Sequence, residues 1–467
     1  MTIKNLELQK AEDFFNKEVK INPKNPGANF NLARVYKEKG DYKKAKFFYE
    51  KVIKIQPKNY SAYNNLANIY KLMGEFSKAI KLYKKVISIN PEHSRAHHNL
   101  GNTYNQLGQF NKAIKAFKKT FQLHPSNLES LYILSNLDKK ILSSKLKEKI
   151  KYTMANQKIL KKDIAYGNFL LAKYEYKNKN FKRELNYLIE AHQNYYQSKK
   201  IFFDGMVNYW LNYLPNAKQF LELNTIEADS KIKPIFIIGV PRCGSTVVER
   251  VIASGKKTIP IGEECGVISG TAGELILSNE SLKLNTSHLK NLINEKYKNL
   301  NLLKKESDNI FTDKTLENFF FIPLIKKIYP KAKIINCMRD PSSSIISVIK
   351  NNLTEVPWAH HIDNIFNYFD IYYKKIDYYK KKYPGFIYDL NFEKFQNNPE
   401  AESKKLKKFC NLVWDRKCLE FYKRPNLVSY TSSHMQIRKP IYKASLDRHL
   451  PYRNLLYKYA NKYVWFK

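Results

Sequence analysis

The sequence predicts two architectures in one chain: an all-helical α-solenoid over residues 1–200 and, after a helical connector over 201–233, an α/β domain with a central parallel sheet over 234–467. Three observations carry this. Alanine, leucine, tyrosine, glycine and proline recur every 34 residues through the first 125 positions. The pattern then changes at Pro234 to a short apolar run, Ile235-Phe-Ile-Ile-Gly-Val240, of the kind found in buried parallel strands. A second such run, Lys333-Ile-Ile-Asn-Cys-Met338, also leads into a helix-start signal, Asp340-Pro341.

In the repeat, Ala28, Ala62 and Ala96 align, as do Leu32, Leu66 and Leu100, and Tyr36, Tyr70 and Tyr104. Gly40, Gly74 and Gly108 follow, then Tyr42, Phe76 and Phe110, then Ala45, Ala79 and Ala113, and finally Pro57, Pro91 and Pro125. Small residues let paired helices approach, glycine supplies the turn between them, the aromatic fills the neighbouring groove, and proline stops the second helix. The period and these positions resemble the tetratricopeptide repeat. Clear repeats run over 26–125. Residues 4–22 read as the second helix of an incomplete first repeat, and Tyr166–Ala172, Asn178–Phe181 and Tyr187–Ala191 as a degenerate one reaching about 197. Such arrays present a concave face to a protein or peptide partner, the expected role here. The alternative is that the array caps the domain it precedes or joins two copies as a homodimer. His97 and His98 are expected to serve packing or surface, because no third ligand recurs beside them.

Charge narrows the partner classes. Lys+Arg 82 against Asp+Glu 42 gives a net charge of +40, which raises nucleic acid, an anionic surface or a small polyanion. Only 11 of the 82 are Arg, and 8 of those 11 lie beyond residue 240. Arg carries a planar fork of donors suited to phosphate and sulfate, whereas Lys is a hydrated point charge, so the informative cations sit in the second half. No RNA- or DNA-binding motif accompanies the charge, and nucleic acid is not an expected partner. The 43% hydrophobic content excludes a disordered chain. No apolar run of membrane-spanning length and no signal core is visible, so a cytoplasmic location without a transmembrane segment is expected. The cysteines Cys243, Cys265, Cys337, Cys410 and Cys418 show no metal-ligand spacing, and neither zinc nor another metal is expected.

The first apolar run enters Pro241-Arg-Cys-Gly-Ser-Thr246, and Val247–Ser254 then has helical spacing. Strand, tight loop and helix N-terminus converge backbone N–H groups on an anion, with Ser245 and Thr246 adding hydroxyls. Gly239 and Gly244 imitate the P-loop, but Ser245 and Thr246 stand where that loop has Lys followed by Ser or Thr. ATP or GTP hydrolysis is therefore disfavoured, and Arg242 supplies the cation. Arg339 and Ser347, at the end of the second run and on the helix after it, are suited to a second phosphate. Two such sites fit a nucleoside with phosphates at opposite ends.

These motifs together resemble the sulfotransferases that use 3′-phosphoadenosine 5′-phosphosulfate (PAPS), in particular a bacterial tetratricopeptide-fused branch similar to tyrosylprotein sulfotransferases. The phosphosulfate loop of that family reads here Pro241-Arg242-Cys243-Gly244-Ser245-Thr246, its 3′-phosphate motif Arg339-Asp340 with Ser347, its Asp-Lys motif Asp313-Lys314 and its Gly-Glu motif Gly262-Glu263-Glu264. Gln436-Ile437-Arg438-Lys439-Pro440-Ile441, preceded by Ser433 and followed by Arg448, matches its C-terminal stretch. The resemblance implies PAPS as co-substrate, no metal, and an acceptor hydroxyl, with protein tyrosine the first acceptor and a glycan, lipid or small alcohol the alternative. It implies Glu263 as the base, 21 residues after Arg242, with Glu264 as the fallback. Lys314 would neutralise the bridging oxygen with Arg242 assisting, and Ser433 and Arg448 would contact the nucleotide. His360 and His361 are rival bases. Cys243 replaces the usual loop Ser, and Phe392-Glu393 stands where Tyr-Glu is common. A scaffold with a vestigial nucleotide site is the reading from another class.

Overall fold

The computed structural model describes residues 3–217, 232–278, 285–303, 309–424, 436–441 and 449–466. The chain divides into two compact units, Met1–Ile159 and Leu160–Lys467.

The first unit is helical. A helix α1 (Ile3–Ile21) precedes three antiparallel pairs, α2 (Pro26–Glu38) with α3 (Tyr42–Ile55), α4 (Tyr60–Leu72) with α5 (Phe76–Ile89), and α6 (Ser94–Gln106) with α7 (Phe110–Leu123). Helices α8 (Leu128–Leu137) and α9 (Ser144–Met154) complete it. Each inter-helix turn uses its glycine in the left-handed region, Gly40 at φ 78°, Gly74 at 77° and Gly108 at 73°. The N–H after each glycine returns to the tyrosine carbonyl near the helix end, as in Asp41 to Tyr36 at 2.9 Å. That closes the helix and fixes the reversal. The repeat alanines and Tyr49, Tyr83 and Phe117 are fully or nearly fully buried. A further recurrence lies at the helix starts, where the side chains of Asn25, Asn59, His93 and Asn127 accept first-turn N–H groups. His98 bridges Ser130 and Asn102, and His97 lies 3.0 Å from the Pro91 carbonyl.

The second unit opens with the hairpin α10 (Lys161–Lys177) and α11 (Phe181–Ser198), followed by α12 (Lys200–Asn208). The sequence pattern groups this hairpin with the repeats, whereas the compact units divide before it. An apolar stripe says that a helix is covered, not by what. Here Leu185, Leu188 and His192 of α11 are buried in the second unit.

Five parallel strands follow: β1 (Ile232–Gly239), β2 (Ile261–Glu263), β3 (Asn309–Lys314), β4 (Lys333–Met338) and β5 (Ile387–Asn391), in the order β2-β3-β1-β4-β5. The continuous apolar runs are explained by burial on both faces, Ile235–Ile238 and Ile334–Ile335 being inaccessible. Helices α13 (Ser245–Ala253), α14 (Val267–Ser278), α15 (Thr286–Asn299), α16 (Ile322–Ile328), α17 (Pro341–Ile349) and α18 (Ile362–Lys382) connect the strands, and α19 (Phe392–Asn397), α20 (Pro399–Phe409) and α21 (Leu450–Ala460) come after β5. The chain moves from β1 outward to β2, back through β3, and then across β1 to β4. This reversal places a crevice at the carboxyl ends of β1, β3 and β4, where open α/β sheets bind ligands.

Candidate active site

The crevice is a cavity of about 580 Å³ within the second unit. Arg242, Gly244, Ser245, Thr246, Glu264, Lys314 and Arg339 line it, so seven of the residues named from the sequence meet in one place.

Its first wall is the loop after β1. Arg242 adopts φ 72°, a strained conformation for a side chain with a Cβ, and Gly244 follows at 93°. A Cβ on Gly244 would lie 2.4 Å from the Phe392 ring, so only glycine lets the loop close over that ring and start α13 beside the cavity. Arg242 Nε donates to Ser347 Oγ at 3.0 Å, and Arg339 Nη1 donates to the Arg242 carbonyl at 3.0 Å. The two arginines and the α17 serine, 105 residues apart in sequence at the extreme, thus form one cationic corner. Asp340 caps α17 by accepting from Ser343 N at 2.7 Å, and Glu393 accepts from Asp340 N at 3.0 Å while lying 4.0 Å from Arg339 Nε. Cys243 is buried and points away from the cavity, its Sγ facing the core beside Gly239 and hydrogen-bonded to the free thiol of Cys337. Unlike its loop neighbours Arg242, Gly244 and Ser245, it does not line the cavity.

The second wall is the register-matched end of β2 and β3, where Glu263 pairs with Lys314. Here the two neighbouring glutamates diverge. Glu263 turns inward, its carboxylate 2.6 Å from Arg250 Nη2 with side-chain exposures of 4% and 7%. Glu264 sits at φ 50°, which swings its side chain to the cavity, where it accepts from Lys314 Nζ and is 36% exposed. Of the two candidates for the base, Glu264 lines the cavity, whereas Glu263 is paired with Arg250 and lies 4.0 Å from Lys314 Nζ. Lys314 is buried, which pulls its pKa down, but Glu264, Glu263 and Glu249 more than offset this and raise it. The ammonium is thereby kept charged. Asp313 faces the interior, accepting from Tyr297 Oη, Thr315 N and Asn318 Nδ2, and holds the turn that aims Lys314.

Several groups on or behind this wall escaped the sequence reading. Glu249 is buried on α13, accepts from Thr312 Oγ1 at 2.7 Å, and is pushed up to about 8 chiefly by burial. Glu317 lines the cavity and is pushed up to about 7 by burial and then by Glu264. Arg250 was one of few arginines and lies on the helix that follows the Arg242 loop, a signal that could have found it. Asn352–Val356 and Gln396 join the lining from elements with no motif, beside Phe392, Gln436, Lys439, Pro440 and Ile441, which the sequence did single out. Ser433 and Arg448 lie outside the described residues. His360 is buried against His192, and His361 pairs with Asp363 at 3.7 Å; neither lines the cavity.

Comparison with known proteins places names on both parts. Residues 234–416 match the sulfotransferase family, and residues 26–59, 60–93 and 94–127 match the tetratricopeptide repeat. An uncharacterized protein of Aquifex aeolicus (strain VF5) is 26% identical over 321 residues, covering 62% of this chain and 40% of the relative. The chain thus spans less than half the length of that relative. Among solved structures, MamA from Desulfovibrio magneticus RS-1 is similar at 20% identity and a TM-score of 0.28, over 32% of this chain and 86% of MamA. YrrB, described as a TPR protein with an unusual peptide-binding site, is similar at 16% identity and a TM-score of 0.29, over 38% of this chain and 91% of its own. The chain joins a tetratricopeptide-repeat array to a domain of the sulfotransferase family.

Proposed function

We propose that this chain transfers a sulfuryl group from PAPS to an acceptor hydroxyl in the 580 Å³ cavity, with a protein tyrosine as the first acceptor and the repeat array recruiting the acceptor or a partner. The observation that carries the reading is convergence: the cationic corner of Arg242, Arg339 and Ser347 and the Lys314–Glu264 pair open onto the same cavity. The residues fit the donor. The α13 N-terminus with Ser245 and Thr246 suits the 5′-phosphate end, and the Arg339–Ser347 corner suits the 3′-phosphate. The volume falls in the range of a nucleotide-sized ligand site.

Sulfuryl transfer asks for an in-line nucleophile, stabilised oxygens and an eased leaving group. Glu264 takes the proton from the acceptor hydroxyl as the oxygen–sulfur bond forms. Lys314 donates to the oxygen that bridges phosphate and sulfate as the bond from sulfur to that oxygen breaks and the nucleotide leaves with it, and Arg242 stabilises the sulfuryl oxygens. Lys314 holds Glu264 in the structure described, so binding of the donor would exchange that contact for the bridging oxygen and release the carboxylate to act. Glu263, fastened to Arg250, keeps the β2 end in place. The array's role is carried over from the repeat family alone.

The test is direct. 3′-Phosphoadenosine 5′-phosphate at millimolar concentration is expected to raise the melting temperature. Labelled sulfate from PAPS is expected to appear on one class among peptides, glycans and phenols. The absence of both a thermal shift and label on any acceptor would overturn the reading.

A further inference from the structure

Residues 349–356 form one side of the cavity, with Asn352 to Val356 on its surface. The segment belongs to no strand, and much of its hydrogen bonding comes from helices that precede the sulfotransferase match. His192 Nε2 of α11 lies 2.8 Å from the Ile349 carbonyl oxygen. Lys199 Nζ lies 3.4 Å from the Thr354 carbonyl and 3.7 Å from Glu355. Glu184 of α11 pairs with Lys350 at 3.1 Å. The Leu353 carbonyl is met at 3.2 Å by Nε2 of His360, and His360 Nδ1 is 3.1 Å from His192 Nδ1. The two imidazoles are thus links in a chain that runs from one point of the wall to another.

We propose that His192 and His360 are positioning residues for the cavity wall, their hydrogen-bonded pair setting the place of Ile349 and Leu353 and so of the residues that meet the ligand. The reason is a count of protons. Carbonyl oxygens only accept, so each Nε2 needs a hydrogen to bond its carbonyl, and the contact between the two Nδ1 atoms needs a third. Two neutral rings carry two hydrogens. With the pair neutral, the short contact to Ile349 keeps one and the contact between the rings the other, which leaves the longer contact to Leu353 without a donor. A third proton completes the chain and gives the Leu353 carbonyl, which already accepts from Val356 N at 3.0 Å, a second donor.

The surroundings set when that proton is taken up. Burial pushes His192 down to about 4, and burial and then His192 push His360 further. Phe169 of α10 stands at His192, and Tyr195 and Phe203 stack on His360. Lys199, over the Tyr195 and Phe203 rings, lowers His360 too, with Glu355 as its counter-charge. The His361–Asp363 pair of α18 and Tyr459 of α21 face the small cavity beside the dyad, and Lys350 of α17 is engaged by Glu184 and Tyr452. At neutral pH the dyad is therefore uncharged, and the wall tightens at Leu353 only as pH falls towards about 4 and below.

The experiment uses the full chain and reads amide hydrogen exchange at 350–356, together with the Kd of 3′-phosphoadenosine 5′-phosphate. His192→Phe keeps a ring but removes both contacts. Exchange over 350–356 is expected to speed at least tenfold and Kd to rise several-fold. His192→Gln, which can donate to Ile349 and accept from His360, is expected to restore both to within about twofold. Exchange in the unsubstituted chain, corrected for its intrinsic pH dependence, is expected to slow on acidification, and this extra slowing is expected to vanish in His360→Phe. Unchanged exchange in His192→Phe, or equal exchange in the Phe and Gln variants, would overturn the proposal. The exchange results stand whether or not PAPS is the donor; only the nucleotide Kd rests on that reading, so a failure of one is separable from a failure of the other.

Discussion

The two walls of the cavity are built on opposite electrostatic plans. On the β1 and β4 side, cations face a partly open corner: Arg339 touches the Arg242 carbonyl, Arg242 touches the Ser347 hydroxyl, and the Glu393 carboxylate stands 4.0 Å from Arg339. On the β2 and β3 side the charges are packed together: Arg250, Glu263, Glu249 and Lys314 are all buried. The first corner is arranged to receive an anion. The second compensates its own charges and leaves Lys314 and Glu264 at the surface of the cavity. Positions on the open corner should therefore govern nucleotide affinity, whereas those on the packed side should govern turnover when they face the cavity and folding when they do not.

The largest effect that would sharpen this contrast belongs to Lys314. Lys314→Ala is expected to lower kcat by about a hundredfold or more, because a preorganised donor to the leaving oxygen is lost. A comparable loss of nucleotide affinity with kcat unchanged would put Lys314 on the binding side instead. Next in size, Arg339→Ala is expected to weaken 3′-phosphoadenosine 5′-phosphate by about tenfold to a hundredfold, the worth of a charge-assisted hydrogen bond, with kcat at saturation little changed. Isothermal titration and saturation kinetics separate the two.

The smallest effect is a pH dependence. Glu317, pushed up to about 7, gains its negative charge on the cavity as pH rises through that value. Nucleotide affinity is expected to fall a few-fold from pH 6 to pH 8, and Glu317→Gln is expected to remove that fall. Glu249 gives a matching test of the packed side. Its folded pKa of about 8 lies above its ordinary value, so the folded state holds its proton where the unfolded state has lost it. Its contribution to stability is full below about 4.5 and is lost as pH rises towards about 8, a slope that Glu249→Gln should flatten in denaturant titrations.

Legibility in the sequence follows the same division. The repeat array is written in a period that each inter-helix glycine turn obeys, because each glycine and alanine answers to its neighbours one repeat away. The loop from Pro241 to Thr246 and the pair Arg339 and Ser347 were equally plain, since anion contacts by a strand end and a helix start depend on local chain order. What could not be read was direction. Glu263 and Glu264 are adjacent and chemically identical, and which one meets the cavity is decided by the φ of 50° at Glu264 and by Arg250 reaching Glu263 from α13. Counting from Arg242 could not supply that. Nor could the stripe on α11 say that His192 would be buried against His360, 168 residues away, in the second unit. Long-range packing chose among locally equivalent residues.

The central claim is that two neighbouring glutamates do different work, and one paired measurement tests it: kcat with labelled PAPS, nucleotide Kd and melting temperature for Glu264→Gln and Glu263→Gln side by side. Glu264→Gln is expected to keep the nucleotide Kd and nearly the melting temperature while kcat falls by about a hundredfold or more. Glu263→Gln is expected to break the buried Glu263–Arg250 pair, lose about 3 kcal/mol of stability, and retain turnover in the fraction that stays folded. A Glu264→Gln enzyme that is fully active, beside a stable and inactive Glu263→Gln enzyme, would contradict it.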